Sequence, residues 1–295
     1  MKSKSDSFQA IAMLAPTMIG FIIFTYIPIF YILRYAFYES NGITATFIGM
    51  QNFIRLFSRD PAFWEALVNT VILSAGKLLI EIPLALMLAV LLNKGLKATG
   101  FFRVTLFLPA IISTAITGLI FSLMFAAHNG VINYILMSAH LVSKPVNWLG
   151  SKWSALSMLG TASIWNYFGT NMVFFLMALQ SIPKELYECA EIDGIGPFQK
   201  FIYITMPMIA PIFQVVLLMA IVGSLKVSDL VLASTNGAPG GKTEVVMTYV
   251  FKYFFGYSGR KVQVGYASSM ALVTGIFLAL VSLVYMRASR KMNEI

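Results

Sequence analysis

Six long apolar runs, separated by polar segments, dominate this sequence and restrict what it can fold into. About 20 consecutive apolar residues let a helix cross the hydrocarbon core of a bilayer. The runs are continuously apolar and do not alternate, which favours helices over a β-barrel. We therefore predict an all-α integral membrane protein with six spans in a single domain, residues 1–295. The predicted spans are Ala10–Leu33, Trp64–Leu92, Val104–Ala127, Ala155–Leu179, Pro207–Leu230 and Ala267–Tyr285.

The composition supports a membrane protein over a soluble one. Charged residues make up 11% of the chain and hydrophobic residues 58%, whereas a soluble domain has about 25% charged residues. The formal net charge is +9, but the basic residues stand singly at the ends of apolar runs. That pattern indicates membrane flanks, not a surface that binds nucleic acid. The first apolar run begins near Phe8 and is too long for a cleavable signal peptide.

Lysine and arginine residues near the span ends predict the orientation. They precede the first span, crowd the connection between spans two and three, and follow the last span: Lys2, Lys4, Lys94, Lys97, Arg103, Arg287, Arg290 and Lys291. With an even number of spans these three segments share one side of the membrane. The positive-inside rule makes that side cytoplasmic. Both termini and the segment 181–206, between spans four and five, are then predicted to be cytoplasmic.

The segment between spans four and five has the features of helices lying on the membrane surface. Pro183 favours a helix start, and Gly194 is suited to the left-handed conformation that ends a helix. Pro197 can open a second short helix, and Pro207 then marks a turn into the fifth span. On these features alone, a solvated connecting loop remains an open alternative.

The residue spacing within this segment adds a family resemblance. Glu188-Cys189-Ala190 is followed after three residues by Gly194, and after nine more by Ile204, one residue, Met206 and Pro207. This spacing resembles the cytoplasmic signature of permease subunits of binding-protein-dependent ATP-binding cassette (ABC) importers. The resemblance implies a loop, here called the docking loop, that binds a cleft of an ATPase subunit and transmits its closure to the membrane helices. The docking residues that it implies are Glu188, Cys189, Ala190, Asp193, Gly194 and Pro207.

Other stretches resemble the maltose-type permeases of carbohydrate uptake. They are Phe47–Phe53 with Asn69-Thr70, Phe102–Pro109, Gly130–Asn133, Thr235–Thr243 and Gly265–Ala267. This resemblance implies transport of a sugar or oligosaccharide across a prokaryotic plasma membrane. An extracellular binding protein would deliver the sugar to a path shared with a second, different permease. ATP and Mg²⁺ would bind to the partner ATPase subunits, and no cofactor would bind to this chain.

A stripe of polar residues lies along one face of the predicted fourth span. Ser163, Asn166, Tyr167 and Thr170 fall at i, i+3, i+4 and i+7. Such a stripe is unfavourable against lipid, so it serves either hydrogen bonding between helices or a translocation path. By position, the family resemblance places the substrate path along this stripe and along three residues of span five: Gly223, Ser224 and Val227.

Two pairs of charged residues fall within the predicted spans. Lys77 and Glu81 are four residues apart in span two, and Lys226 and Asp229 are three apart in span five. Each buried charge costs about 2.5–3.5 kcal/mol on insertion scales. Internal ion pairs, extension of Lys226 towards water, an ion relay and a part in the substrate path all remain open. A relay would suit an ion-coupled secondary transporter without ATPase partners, but such proteins have internal repeats that are not visible here.

The sequence offers no combination of residues for catalysis or metal binding. Cys189 is the single cysteine, which excludes an internal disulfide and a cysteine metal cluster. His128 and His140 have no second ligand at helical spacing. The stretch Asn236–Thr243 resembles a phosphate-binding loop, but Asn236 stands where that motif needs glycine and a strand should precede it. We therefore expect that the chain is not an enzyme.

Overall fold

The computed structural model describes residues 4–95 and 97–292. Within those ranges the regular secondary structure is helical apart from one two-stranded sheet, in agreement with the predicted helical membrane protein. The chain forms two compact units. One contains the residues up to Pro61 together with Tyr249–Phe277, and the other contains Ala62–Thr248 together with the residues from Leu278 onward. Lys2, used above for the orientation, lies outside the described residues.

The first unit begins with one long apolar helical stretch. Helix α1 (Lys4–Phe21) continues through a π-helical turn (Ile22–Tyr26) into α2 (Ile27–Tyr35). Pro28 lies in the first turn of α2, where its ring crowds the carbonyl four residues earlier, within the π-helical turn. No residue of Ile11–Tyr35 is buried, so this surface is available to lipid or to a partner subunit.

A small hairpin and a short helix follow in the same unit. Strands β1 (Tyr38–Ser40) and β2 (Ala45–Phe47) pair antiparallel, with Tyr38 opposite Phe47. The buried Asn52 of α3 (Gln51–Arg59) donates hydrogen bonds to the carbonyls of Ala36 and Tyr38, at 3.0 and 2.9 Å. These bonds hold α3 against the hairpin. Most of α13 (Val246–Phe255), a 3₁₀ turn (Tyr257–Gly259) and the first half of α14 (Val264–Met292) complete the unit.

The second unit is built from long helices with short helical connections. In chain order they are α4 (Pro61–Asn93), α5 (Thr99–Phe107), a 3₁₀ turn (Leu108–Ile111), α6 (Thr114–Met124), α7 (Val131–Ser138), α8 (Lys152–Gln180), α9 (Lys184–Ile192), α10 (Pro197–Lys200), a π-helical turn (Phe201–Thr205), α11 (Met206–Leu225) and α12 (Asp229–Ser234). The second half of α14 belongs to this unit as well.

The third predicted span, Val104–Ala127, is wrong as one continuous helix. Its two halves, Thr99–Ile111 and Thr114–Met124, meet at 94°. The break follows Pro109, which has no backbone N–H to donate and lies in the 3₁₀ turn. Ile112 and Ser113 then adopt extended backbone conformations before the helix resumes.

Among the described residues, four helical stretches are long and apolar enough to cross a membrane. They are Ile11–Tyr35, Pro61–Asn93, Pro197–Leu225 and Val264–Ser289, and the bent pair would make a fifth. The four stretches correspond, in that order, to predicted spans one, two, five and six, and the bent pair corresponds to span three. Helix α8, which contains the predicted fourth span, is 29 residues long, but its polar side chains interrupt its apolar sequence and it does not reach the same hydropathy.

The fifth predicted span, Pro207–Leu230, is misplaced at both ends. The helical stretch already begins at Pro197 and runs through the π-helical turn into α11. Pro207 therefore does not mark a turn: it follows the π-helical turn, which accommodates the proline within a continuing helix. The stretch ends at Leu225, before Lys226 and Asp229.

One hydrophobic core joins three long helices of the second unit. It is formed by Ile82, Ala85, Ala89 and Leu92 of α4, Met172, Phe175, Leu176, Ala178 and Leu179 of α8, and Ile209 and Val216 of α11. Ile182, between α8 and α9, is part of this core, and Tyr187 of α9 packs against it. The packing therefore extends from the long helices to the start of the docking loop.

Candidate functional site

The docking loop contains the predicted helix and its glycine end. Helix α9 begins directly after Pro183 and ends at Ile192. Gly194 has φ +73°. Its N–H donates to the carbonyl of Glu191 at 3.1 Å, and the N–H of Ile195 donates to the carbonyl of Ala190 at 2.9 Å. A left-handed glycine that satisfies the last carbonyls of a helix is the predicted end, so this prediction is confirmed.

The signature residues divide into one inward-facing position and several outward-facing ones. Ala190 is 3% exposed, which explains a small residue there because a larger side chain would have no room. Glu188, Cys189, Asp193 and Gly194 are exposed. Pro207 is exposed as well, but it lies in the helical stretch beyond the loop.

Sequence reasoning missed three exposed apolar side chains in the same region. Ile192, Phe198 and Tyr203 are 86%, 75% and 72% exposed. Apolar side chains grouped on an exposed surface mark a site of interaction with protein or membrane. Residue type alone gives no signal for them, because the same residue types fill the spans on either side.

Two side-chain contacts fasten α9 to the beginning of the helical stretch Pro197–Leu225. The hydroxyls of Tyr187 and Thr205 are 2.8 Å apart. The ammonium of Lys200 lies 2.7 Å from a carboxylate oxygen of Glu191. Because Tyr187 also packs against the hydrophobic core, a displacement of α9 would be passed to the long helices.

The polar stripe of α8 contains both buried and solvent-accessible residues. Asn166 is 3% exposed, and its amide lies 3.0, 3.1 and 3.0 Å from the carbonyls of Pro109 and Ile112 and the hydroxyl of Thr117. It therefore bridges the break in the third span, the structural role that the sequence had left open. Ser163 is also buried at 3% exposed, while Tyr167 is 39% exposed and Thr170 is half-buried.

The three predicted path residues near the end of α11 differ in accessibility. Gly223 is exposed and Val227 is half-buried. Ser224 is 3% exposed, and its hydroxyl donates to the carbonyl of Ile221 at 2.9 Å. Of the seven predicted path residues, those with accessible surface are Tyr167, Thr170, Gly223 and Val227.

The two predicted charge pairs have different outcomes. Lys77 and Glu81 form the predicted ion pair at 3.3 Å, with side chains 5% and 1% exposed. Lys226 and Asp229 form no ion pair with each other: both are exposed, and Asp229 accepts a hydrogen bond from Ser228 at 2.9 Å. The reason is the end of α11 at Leu225, which removes the shared helix face that the prediction assumed.

The glycine-rich stretch that resembles a phosphate-binding loop follows helix α12, not a strand. The amide of Asn69 donates to the carbonyls of Lys242 and Glu244, each at 2.9 Å. The hydroxyl of Thr243 donates to the carbonyl of Ala238 at 2.6 Å. The Asn69 bonds fasten the end of the stretch to α4, and the Thr243 bond closes it as a turn.

The first unit contains a polar cavity of 780 Å³ beside the hairpin. Three exposed basic residues line it, Arg55, Arg59 and Lys261. The guanidinium of Arg55 donates to Gln263 at 2.8 Å and lies 3.9 Å from the centre of the Tyr266 ring. These contacts fix Arg55 at the cavity wall. Because the three basic residues outnumber the one acidic residue of the lining, Glu39, the cavity suits an acidic group.

A buried carboxylate supports that cavity, and no local sequence pattern predicts it. Asp60 is 9% exposed and accepts hydrogen bonds from the hydroxyls of Tyr249, at 2.8 and 3.1 Å, and Tyr266, at 2.5 Å. Burial raises the pKa of the Tyr249 phenol, so this hydroxyl remains a donor throughout the physiological pH range. The Tyr266 ring is thereby held at the position where it contacts Arg55.

Comparison with known proteins identifies relatives over most of the chain. Residues 81–293 match the family described as binding-protein-dependent transport system inner membrane component. The chain is 32% identical over 280 residues to the lactose transport system permease protein LacF of Rhizobium radiobacter, covering 94% of this chain and 92% of LacF. It is 31% identical over 278 residues to the arabinooligosaccharides transport system permease protein AraP of Bacillus subtilis (strain 168), covering 93% and 86%.

A solved structure is also similar to this chain over almost its whole length. One chain of a bacterial alginate ABC transporter, crystallised in complex with an alginate pentasaccharide-bound periplasmic protein, superimposes with a TM-score of 0.83 at 25% identity. The match covers 98% of this chain and 96% of the alginate transporter chain.

Proposed function

The chain belongs to the family of binding-protein-dependent transport system inner membrane components, and on that premise we propose how its parts import a sugar. It is a carbohydrate ABC importer permease in the plasma membrane and works with a binding protein and an ATPase. The substrate is a sugar or oligosaccharide, as the names of LacF and AraP state for those relatives. The chain is not an enzyme, and ATP with Mg²⁺ binds to the partner ATPase subunits.

The proposed topology has six spans in one permease domain, residues 1–295, with both termini in the cytoplasm. Helix α8 is the fourth span although it is less apolar than the others. Its amides are occupied inside the protein, since Asn166 bonds to the broken third span and Asn171 donates to Glu81. Polar side chains satisfied in this way are tolerated within a bilayer. The basic residues listed for the orientation support the cytoplasmic position of the docking loop.

Docking of an ATPase subunit onto α9 is the central proposal. Glu188, Cys189 and Asp193 offer a polar surface, and Ile192 and Phe198 offer exposed apolar contacts beside it. A surface with apolar anchors and a polar rim is typical of protein interfaces. The exposure of these residues next to a firmly anchored helix is the observation that carries the proposal.

Closure of the ATPase would then move the long helices as a rigid body. The push on α9 passes through the contact between Tyr187 and Thr205 to the stretch that begins at Pro197, and through Ile182 to the shared core. Rocking of packed helices between two arrangements is a common transport and switching motion. The path that opens includes Tyr167, Thr170, Gly223 and Val227, together with residues of a second, different permease.

The ion-coupled alternative loses its support in this family. Lys77 and Glu81 bond to each other inside the protein, and Lys226 and Asp229 form no pair. A relay through these four residues would also have to operate without ATPase partners, which members of an ABC importer family require.

The test is separation of ATP hydrolysis from sugar uptake by single changes in the docking loop. Glu188→Lys reverses the charge of an exposed docking residue, and Gly194→Pro removes the left-handed helix end because proline cannot adopt φ +73°. Both variants should reach the membrane with the second permease and lose uptake, while ATP hydrolysis continues without being coupled to it.

The matched control is Glu185→Lys, which changes the charge of the same helix by the same amount outside the signature spacing. Glu185 is exposed and lies one turn before Glu188. Uptake at the wild-type rate by either docking variant would contradict the proposal. An equal loss in the Glu185 control would show a general effect of charge and would also contradict it.

A further inference from the structure

We propose that Lys77, Glu81 and Asn171 are positioning residues that fix the ring of Tyr167 in the translocation path. The inference rests on the proposed function, in which Tyr167 lines that path. It assigns a role to the buried charges of α4, to which no part in transport has been given above.

A buried polar network crosses from α4 to α8. The Lys77 ammonium lies 3.3 Å from one carboxylate oxygen of Glu81, and the Asn171 amide donates to the other oxygen at 2.6 Å. Lys77, Glu81 and Asn171 are 5%, 1% and 8% exposed. Because Asn171 is on α8, the network fixes the position of the ammonium relative to that helix.

The ammonium of Lys77 faces an aromatic ring as well as the carboxylate. It lies 4.2 Å from the ring centre of Tyr167, within the range in which the ring face attracts a cation. Tyr167 is 39% exposed, whereas Ser163 and Asn166 on the same stripe are each 3% exposed. Tyr167 therefore has a contact with a fixed cation and an accessible surface at the same time.

Stability alone does not account for an ion pair at this place. Buried ion pairs can often be replaced by apolar residues of similar volume without loss of stability. What apolar residues would not reproduce is a cation held against the Tyr167 ring. An aromatic ring offers a flat surface to the C–H groups of a sugar ring, and a ring fixed beforehand binds its ligand with a smaller loss of entropy.

The first experiment replaces both charges and measures uptake in proteoliposomes with the second permease, the ATPase and the binding protein. Labelled lactose, trehalose, maltose and arabinotriose are the probes. Lys77→Met with Glu81→Met should raise the KM of uptake about tenfold, equivalent to about 1.4 kcal/mol, with a smaller change in the maximal rate. Lys77→Arg should keep the wild-type KM, because a guanidinium also binds an aromatic face.

A double-mutant cycle separates positioning from a general structural effect. In a Tyr167→Leu background, the same double replacement should leave the KM unchanged, because the ring through which Lys77 acts is gone. An equal rise of the KM in that background would overturn the proposal, as would a wild-type KM after the double replacement in the native background. If the double variant does not assemble, Asn171→Ala, which keeps the ion pair but frees Glu81, is tested in the same cycle with an expected rise of about threefold.

A second measurement needs no sugar. Meta-fluorotyrosine placed at position 167 should give a fluorine resonance that shifts when Lys77 and Glu81 are both replaced by methionine. In the separate Lys77→Arg variant the resonance should lie closer to its wild-type position. Identical resonances in all three proteins would overturn the proposal. Failure of the wild-type complex to move any probe would count against the proposed function, while the fluorine spectra would still decide the role of the network.

Discussion

Asn166→Ala is expected to destabilise the protein without acting on the sugar. Asn166 has two amide hydrogens and three acceptors at 3.0–3.1 Å, two of which are carbonyls at the break in the third span. Alanine would leave the carbonyls of Pro109 and Ile112 without this donor. An unsatisfied buried acceptor costs about 1–3 kcal/mol, and bonds between membrane helices measure about 0.6–1.7 kcal/mol. The expected loss is about 2–4 kcal/mol.

The assay is thermal unfolding of the purified complex in detergent, with size-exclusion chromatography as the measure of the fraction that remains folded. A loss of that size corresponds to a fall of about 3–6 °C in the melting temperature. Thr170→Ala is the matched control, since Thr170 lies one turn along the same helix, is half-buried, and makes no side-chain hydrogen bond within the described ranges. A melting temperature for Asn166→Ala equal to that of Thr170→Ala would refute the assignment of Asn166 to the helix break.

Two further predictions concern packing and charge. A Cβ on Gly169 would collide with a backbone carbonyl of α5, so Gly169→Ala should cost about 1–3 kcal/mol of stability. Gly160→Ala, where the nearest atom is a side-chain methyl at 3.8 Å, should unfold at the wild-type temperature. With both termini in the cytoplasm, as proposed, the cavity lined by Arg59 and Lys261 lies on the outer side of the membrane, where the binding protein delivers the sugar. Reversing Arg59 and Lys261 to glutamate should therefore raise the binding-protein concentration for half-maximal ATP hydrolysis about tenfold at low salt and less at high salt. Lys144→Glu, an exposed basic residue outside the cavity, should not do so.

Features with local sequence signals were predictable. The apolar runs predicted the long helices. Pro183 and Gly194 predicted the start and end of α9, because each constrains its own backbone. The ion pair of Lys77 and Glu81 followed from a four-residue spacing within one helix.

Features that depend on distant partners were not predictable. The acceptors of Asn166 lie about fifty residues earlier in the chain, at a break that Pro109 alone did not reveal. Lys226 and Asp229 were paired on the assumption of a continuous helix, but the helix ends at Leu225, before both residues. The exposure of Ile192 and Phe198 depends on how the loop folds back, which residue type does not encode.

The most direct test of the docking proposal uses the native sequence. Cys189 is the single cysteine of the chain, and it is exposed on α9. A maleimide-linked photocrosslinker attached to Cys189 before the ATPase is added should join this chain to an ATPase subunit once the complex assembles. A membrane-impermeant maleimide should label Cys189 in inside-out vesicles stripped of the ATPase but not in intact cells. Labelling of intact cells, or crosslinks to the binding protein instead of the ATPase, would contradict the account.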